Sequence, residues 1–451
     1  MDGRLEINAS LCTGCTHCQQ VCADCNAGID VCLVLELVDQ GRLTEAVDVL
    51  LRANPLPAVA GRVCPHPCDH DVNALGQPQA KRYAYQHPAL AERFPEHEGK
   101  ISVRDVEAFL GDYALRELPP EHFLPALEQD GCAVVVGSGP SGLSAAWQLR
   151  RRGWRVVVLD GAARPGGMLR SGIPAFRLPR EILDGEIGRL QGIGVEFRCG
   201  IRVGRDVTLA ELARDFDAVI LAVGDGAART LTLPGADAVE SGLMNGLEFL
   251  ARYNTGRAPP VGERVAIVGG GNTAIDCARA AVRLDAEAVV LYRRAEEDMP
   301  AIPDEVAEAR KERVRFAFQR LPVRVVAGVD GHIAGVVTVE MRPGEPDADG
   351  RRRPVAVPGT ERTEAFDLLV LAVGEAADLS FLEGTELAGD AASAAGARIP
   401  VNFAGATHQA GVFACGDAAF GQGTVTQAIA TGRRAAELAA EYMEKNATRK
   451  P

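Results

Sequence analysis

The chain has 451 residues, room for about three domains at roughly 150 residues each. Hydrophobic residues make up 47% and charged residues 24%, the balance of a chain that buries ordinary globular cores. The net charge is −13 and no run approaches roughly 18 consecutive apolar residues, so neither a nucleic-acid partner nor a membrane span is expected.

Residues 1–12 are mixed and polar, with no apolar run of a secretory leader, so a cytoplasmic location is the default expectation. Of 12 cysteines, eight fall within the first 68 residues. In a reducing compartment such a block reads as a metal site, not a disulfide framework. Cys12-x2-Cys15-x2-Cys18-x3-Cys22 has the spacing of a bacterial ferredoxin run. Cys25 follows it, and Cys64 and Cys68 lie in a proline-rich stretch. Zinc is the rival to iron-sulfur here. Cys32 has an apolar, helical context and reads as core.

The patterning predicts amphipathic helices over 44–52 and 103–115. Residues 54–71, rich in Pro and Cys, predict irregular structure, and 73–100 a polar surface loop. From about 131 the texture becomes α/β, with apolar strand runs alternating with glycine turns and helices.

Two dinucleotide fingerprints lie 132 residues apart. The first, Gly137-Ser-Gly139-Pro140-Ser141-Gly142, follows an apolar strand and opens a predicted helix over 143–152. A second strand, 155–159, ends in Asp160. Gly137 permits the tight turn, Gly139 lets backbone touch a pyrophosphate, and Gly142 lets helix and strand pack closely. The helix N-terminus adds positive dipole, and Asp160 can accept ribose hydroxyls.

The second fingerprint, Gly269-Gly270-Gly271-Asn272-Thr273-Ala274, opens a helix through Arg283. Its next strand ends in Tyr292-Arg293-Arg294. No acid stands at the ribose position. Two arginines stand there instead, which suits the 2′-phosphate of NADP, with NAD the alternative.

A third segment, 411–415, is an apolar strand ending in Gly416-Asp417, followed by Gly421-Gln-Gly-Thr424-Val425 and a helix. An aspartate there can bind a ribityl hydroxyl, and the helix N-terminus can face the electron-rich edge of a reduced flavin. The first Rossmann unit and the C-terminus should therefore form one FAD domain, with the second Rossmann unit inserted. Gly224 is a further candidate for cofactor contact.

Residues 131–440 resemble the small subunit of glutamate synthase and its relatives among the two-dinucleotide flavoproteins. The resemblance rests on Gly166-Gly167-Met168-Leu169, Gly172-Ile173-Pro174-Ala-Phe176-Arg177-Leu-Pro179, Gly269-Gly-Gly-Asn-Thr-Ala-Ile-Asp276, Met299-Pro300 and Gly423-Thr-Val-Thr-Gln-Ala-Ile429. In the amino-terminal region, Cys25-Asn-Ala-Gly-Ile-Asp30 and Asn54-Pro-Leu-Pro-Ala-Val-Ala60-Gly-Arg-Val-Cys64-Pro-His-Pro-Cys68 carry it. Ala60 and Val72 stand where relatives often have cysteine. The resemblance implies hydride transfer from NADPH to FAD, then single electrons to [4Fe-4S] clusters and on to a partner. It implies one or two clusters: Cys12, Cys15, Cys18 and Cys22 in one, and Cys25, Cys64 and Cys68 in another, with Glu107 as a possible fourth ligand.

The expected architecture is a helical iron-sulfur domain over 1–120, an FAD domain over 131–255 and 376–451, and an NAD(P) domain inserted over 256–375. The expected function is an electron-transfer flavoprotein subunit linking NAD(P)H to a larger catalytic redox subunit, able to run as an NAD(P)+ reductase. An aldehyde or 2-oxoacid oxidoreductase or a hydrogenase fits as that partner. The alternatives are a glutamate synthase small subunit proper and a non-catalytic iron-sulfur scaffold. A thiol-disulfide reductase is disfavoured, because Cys132, Cys199, Cys277 and Cys415 have no close sequence partner. Hydride transfer is a matter of placing nicotinamide C4 against flavin N5, so no catalytic side chain is expected. Gly167 to Leu169, Ile173, Pro174, Thr424 and Val425 are expected nearest the flavin, with Asp417 on the ribityl chain.

Overall fold

The computed structural model describes residues 28–65, 83–84, 100–101, 103–346, 352–388 and 396–447. The chain divides into two compact units. One takes Met1–Leu169, Phe176–Asp225 and Ala377–Pro451, the other Arg170–Ala175 and Gly226–Ala376. The second is thus an insertion in the first. The second unit takes in residues from Gly226 onward, ahead of the 256 expected for the inserted domain. The reason is that Leu243–Asn245 pairs with Leu368–Leu371 and completes the second unit's parallel sheet.

The first unit is built on a five-stranded parallel sheet. Its order is Val412–Ala414, Ala218–Leu221, Cys132–Val136, Arg155–Asp160, Val195–Cys199. Ala133, Val134 and Val135 are fully buried, as expected of a central strand covered on both faces. Each such valine contributes about 1.5–3 kcal/mol by leaving water. Strand order reverses between Cys132–Val136 and Ala218–Leu221, and ligands of open α/β sheets sit at the carboxyl ends of such strands.

The amino-terminal helices are Val31–Asp39, Leu43–Ala53, Pro57–Val63 and Val103–Glu117. The second and fourth match the predicted helices. Asp30 caps the first, accepting from Leu33 N at 3.1 Å. Helix Pro57–Val63 corrects the expectation of irregular structure over 54–71. Pro57 sits in the first turn, where its missing N–H breaks no helical bond. Gly61 serves close packing: a Cβ there would lie 2.4 Å from Ala108 N, and one on Gly111 would lie 2.2 Å from Ala58 N. These helices belong to the same unit as the first fingerprint, with Trp147 Nε1 donating to Leu51 O at 3.1 Å and Gln148 Nε2 to Arg52 O at 2.9 Å.

The second unit has its own five-stranded parallel sheet, ordered Arg315–Phe318, Glu287–Tyr292, Arg264–Val268, Leu368–Leu371, Leu243–Asn245. It also has an antiparallel sheet that the sequence reading did not anticipate: Arg320–Ala327, Ile333–Pro346, Arg352–Ala356 and Arg362–Glu364. Val325, Ile333 and Val336 join Ala266, Val268 and Phe366 in one core. Among the described residues no helix is long and apolar enough to cross a membrane.

Candidate functional site

The first glycine loop is held in a form that excludes other residues. Gly137 has φ +106, and a Cβ on it would lie 2.3 Å from Ala222 O. A Cβ on Gly142 would lie 1.9 Å from Gly137 O. Gly139 differs: its Cβ would meet nothing within 4 Å. Gly139 caps helix Pro140–Arg151, so open space stands before the first-turn N–H groups of that helix. That fits a pyrophosphate, and Gly224, with φ +64 and nothing within 4 Å of its Cβ, adds to the open rim.

Asp160 ends the second strand as expected, and its carboxylate already holds the loop. It accepts from Ser138 N at 2.9 Å, from Ser138 Oγ, and from Ala162 N at 2.8 Å. Ser138 Oγ in turn accepts from Gly166 N at 2.9 Å. Ser138, fully buried, joins the two glycine loops. Gly167 approaches Gly139, its Cβ position lying 2.7 Å from Gly139 Cα. Met168 and the buried Leu169 follow in a short helix, with Arg180 Nη1 donating to Leu169 O at 2.9 Å. Ile173 and Pro174 are grouped with the second unit, where Asn254 Nδ2 donates to Ser171 O at 2.8 Å and Ile173 O at 3.3 Å.

The carboxy-terminal segment packs on this loop. A Cβ on Gly416 would lie 2.5 Å from Ser141 Oγ, and one on Gly432 would lie 2.1 Å from Ser141 O. Gly416 N donates to Thr431 Oγ1 at 2.9 Å, and Asp417 opens a short helix beside it. Thr424 precedes helix Val425–Ala447 and forms a capping box with Gln427. Gln427 N donates to Thr424 Oγ1 at 3.2 Å, and Thr424 N to Gln427 Oε1 at 2.7 Å. The first-turn N–H groups of Val425 and Thr426 have no acceptor within the helix by its geometry.

Of the proposed iron ligands, Cys64 is described; Cys12, Cys15, Cys18, Cys22, Cys25 and Cys68 lie outside the described residues. Cys64 caps the carboxyl end of helix Pro57–Val63, is 6% exposed, and lies 3.4 Å from Thr426 Oγ1. Thr426 was not singled out in the sequence. Glu107 is buried and accepts from Asn54 Nδ2. Among the described residues no three His, Cys, Asp or Glu side chains gather as a metal site.

The second fingerprint repeats the first. Gly269 has φ +146, and its Cβ would lie 2.2 Å from Ala372 O, the counterpart of Gly137 against Ala222. Gly270 is covered by the Tyr292 ring, and Gly271 faces open space. Asn272 Oδ1 accepts from Ile302 N at 2.9 Å, and Ala301 N donates to Gly270 O at 3.1 Å, so the segment after Met299-Pro300 folds back onto the loop. Thr273 Oγ1 donates to Glu375 at 2.7 Å. Arg293 is exposed, whereas Arg294 Nε donates to Arg352 O at 3.3 Å.

The model of the pyridine nucleotide-disulphide oxidoreductases matches residues 132–433. The chain belongs to this family. A second model, dihydroprymidine dehydrogenase domain II, 4Fe-4S cluster, matches residues 4–82. The small chain of NADPH glutamate synthase from Escherichia coli is 33% identical over 98% of this chain and 92% of its own length. The beta subunit of NADP(+)-dependent formate dehydrogenase from Moorella thermoacetica is 38% identical over 94% of this chain. The beta subunit of an NADPH-Fe(3+) oxidoreductase from Geobacter sulfurreducens is 34% identical over the same share. This chain spans 60% and 64% of those two beta subunits.

Among solved structures, Mycobacterium tuberculosis FprA with NADPH matches with TM-score 0.59 at 19% identity, over 71% of this chain and 86% of that one. Lactococcus lactis thioredoxin reductase matches with TM-score 0.53 at 21% identity, over 70% and 100%. Both likenesses speak for the fold. The family and the 4Fe-4S domain model give FAD, NAD(P) and [4Fe-4S] as the cofactors of this chain. Among the described residues, burial pushes the Cys277 thiol well up and the Cys415 thiol to about 12, whereas disulfide exchange needs a thiolate.

Proposed function

We propose that the chain moves electrons between NADPH and a larger catalytic redox subunit by way of FAD and [4Fe-4S] clusters. The observation that carries this reading is the contact between Cys64 and Thr426. It joins the cysteine block to the start of the helix that follows the flavin-type Gly416-Asp417 turn.

In this reading Gly137, Gly139, Pro140, Ser141 and Gly142 present backbone N–H groups and helix dipole to the FAD pyrophosphate. Asp160 keeps the loop in shape through Ser138 and has lone-pair capacity left for a ribose hydroxyl. Gly167, Met168, Leu169 and Gly224 wall the flavin, and Asp417 accepts from its ribityl chain. The capped helix start at Thr424 and Val425 places N–H groups where negative charge gathers on reduction. Gly270, Gly271, Asn272 and Thr273 hold the second nucleotide, and Arg293 and Arg294 select NADP over NAD. Cys12, Cys15, Cys18, Cys22, Cys25, Cys64 and Cys68 hold the iron. Bound FAD accepts two electrons together and releases them singly. No side chain of this chain is asked to act as nucleophile or general base.

The relatives' names support a partner that oxidises formate or reduces iron(III). The glutamate synthase reading has its own support in the near end-to-end match with a small chain of that enzyme. The test is purification of the chain with whatever binds it. FAD, iron and acid-labile sulfide should be present, with a co-purifying larger redox subunit. Zinc without sulfide would reject the cluster assignment, and isolation as a lone polypeptide with full turnover would reject the subunit role.

A further inference from the structure

We infer that Thr426 donates a hydrogen bond to the cluster-bound Cys64 sulfur and thereby raises the reduction potential of the cluster that Cys64 ligates. The inference rests on the reading of Cys64 as an iron ligand. The two side chains lie 3.4 Å apart, sulfur to hydroxyl oxygen, across 362 residues of sequence. Both are shielded from water, Cys64 at 6% and Thr426 at 4% exposure.

The direction of the bond follows from valence. An iron-bound thiolate carries no proton and can only accept. The single hydroxyl proton of Thr426 therefore goes to sulfur. Thr426 Oγ1 is also 2.9 Å from Thr424 Oγ1, so in that pair Thr424 must be the donor. Thr424 Oγ1 in turn accepts from Gln427 N at 3.2 Å. The relay has one polarity: Gln427 N–H to Thr424, Thr424 to Thr426, Thr426 to Cys64. Aligned hydrogen bonds of this kind polarise one another.

The capping box thus does two things. It terminates helix Val425–Ala447 and orients the Thr426 hydroxyl. Cys64 has its backbone fixed independently, its N–H donating to Ala60 O at 2.9 Å and Arg104 donating to Gly61 O and Arg62 O at 3.2 and 3.1 Å. Reduction adds one negative charge to the cluster. A donor on its sulfur stabilises the reduced form more than the oxidised form, and hydrogen bonds to cluster sulfurs are among the features that set cluster potentials. Thr426 is a positioning residue by this account, acting through Cys64.

The experiment is an anaerobic redox titration of the full chain, followed by electron paramagnetic resonance, for the parent, Thr426→Val and Thr426→Ser. Valine keeps the shape and loses the proton. The expected result is one cluster shifted to lower potential in T426V, by about tenfold in the reduced-to-oxidised ratio, which is about 59 mV for one electron. T426S should restore the parent value. Unchanged potentials in T426V overturn the inference, as does an equal shift in T426S. Loss of iron from T426V but not T426S overturns it too, because the hydroxyl then retains the cluster instead of tuning it. Iron analysis of Cys64→Ser separates the two readings. Full iron in C64S rejects Cys64 as a ligand and the inference with it. Iron lost in C64S with no shift in T426V rejects the tuning alone.

Discussion

Glu186 accepts the backbone N–H of Ala58 at 2.9 Å, joining positions 128 residues apart. Glu186 is fully buried and paired with Arg189, which also donates to Pro55 O at 2.5 Å. The Arg189 guanidinium lies 5.3 Å from the Trp147 ring and 5.6 Å from the Phe123 ring. The start of the helix that ends at Cys64 is therefore anchored on helix Arg180–Gly192 by one buried ion pair.

Removing either partner should be costly. Above the raised Glu186 value, where the carboxylate is ionised, Glu186→Gln keeps an acceptor for Ala58 but leaves the Arg189 charge uncompensated, at about 3–5 kcal/mol in denaturant unfolding. Arg189→Met should cost a similar amount. The double variant Glu186→Leu with Arg189→Met should be less destabilised than the sum of the singles. Strict additivity would show that the pair is not a unit.

The same pair predicts a pH dependence. Burial raises Glu186 from 4.5 to about 7 despite the favourable Arg189 charge. Between those values the folded chain holds a proton that the unfolded chain has released. Stability from this group is therefore present at low pH and falls as pH rises from 4.5 towards about 7. The parent's unfolding free energy should decline over that window relative to E186Q. A parallel course for the two proteins would contradict the assignment.

Two glycine substitutions distinguish space from ligand. Gly142→Ala places a methyl 1.9 Å from Gly137 O and should open the loop and abolish FAD binding, with lowered stability. Gly139→Ala meets nothing of the chain within 4 Å and should leave the melting temperature of the FAD-free protein unchanged. Its FAD affinity should still fall at least about tenfold if a pyrophosphate lies against that backbone. Parent-like FAD affinity in G139A would place the pyrophosphate elsewhere.

The arginine pair should be unequal. Arg294 is engaged with Arg352 O, whereas Arg293 is exposed. Arg293→Ala should raise the KM for NADPH by about tenfold or more, at roughly 1.5–3 kcal/mol for a charged hydrogen bond, with NADH kinetics little changed. Arg294→Ala should have the smaller effect. Equal loss with both nucleotides in R293A would make Arg293 a general anion contact and not a 2′-phosphate selector.

The parts legible in the sequence are those whose physics is local. Gly137 to Gly142 and Gly269 to Ala274 specify tight turns within a few residues, and both turns form. The Thr424–Gln427 box is equally local and could have been read from Thr-x-x-Gln before an apolar run. Helix Pro57–Val63 was missed because Pro and Gly read as breakers. Their actual roles, a free first-turn position and close approach to Ala108, depend on a helix some fifty residues away. Glu186 and Arg189, spaced i,i+3, look like a solvated surface pair in sequence. Only the arrival of Pro55 and Ala58 buries them. Cys64 and Thr426 could not be paired at all by spacing, since 362 residues separate them.

The central claim is that electrons from NADPH pass through the flavin to iron held by the N-terminal cysteines. The most direct measurement is stoichiometric NADPH reduction of the anaerobic holoprotein, with flavin absorbance and cluster paramagnetic resonance followed together, in the parent and in Cys64→Ser. The account predicts flavin bleaching in both proteins. It predicts the resonance of a reduced [4Fe-4S] cluster in the parent, diminished or absent in C64S. Flavin bleaching with the same cluster signal in both proteins, or with none in the parent, would contradict it.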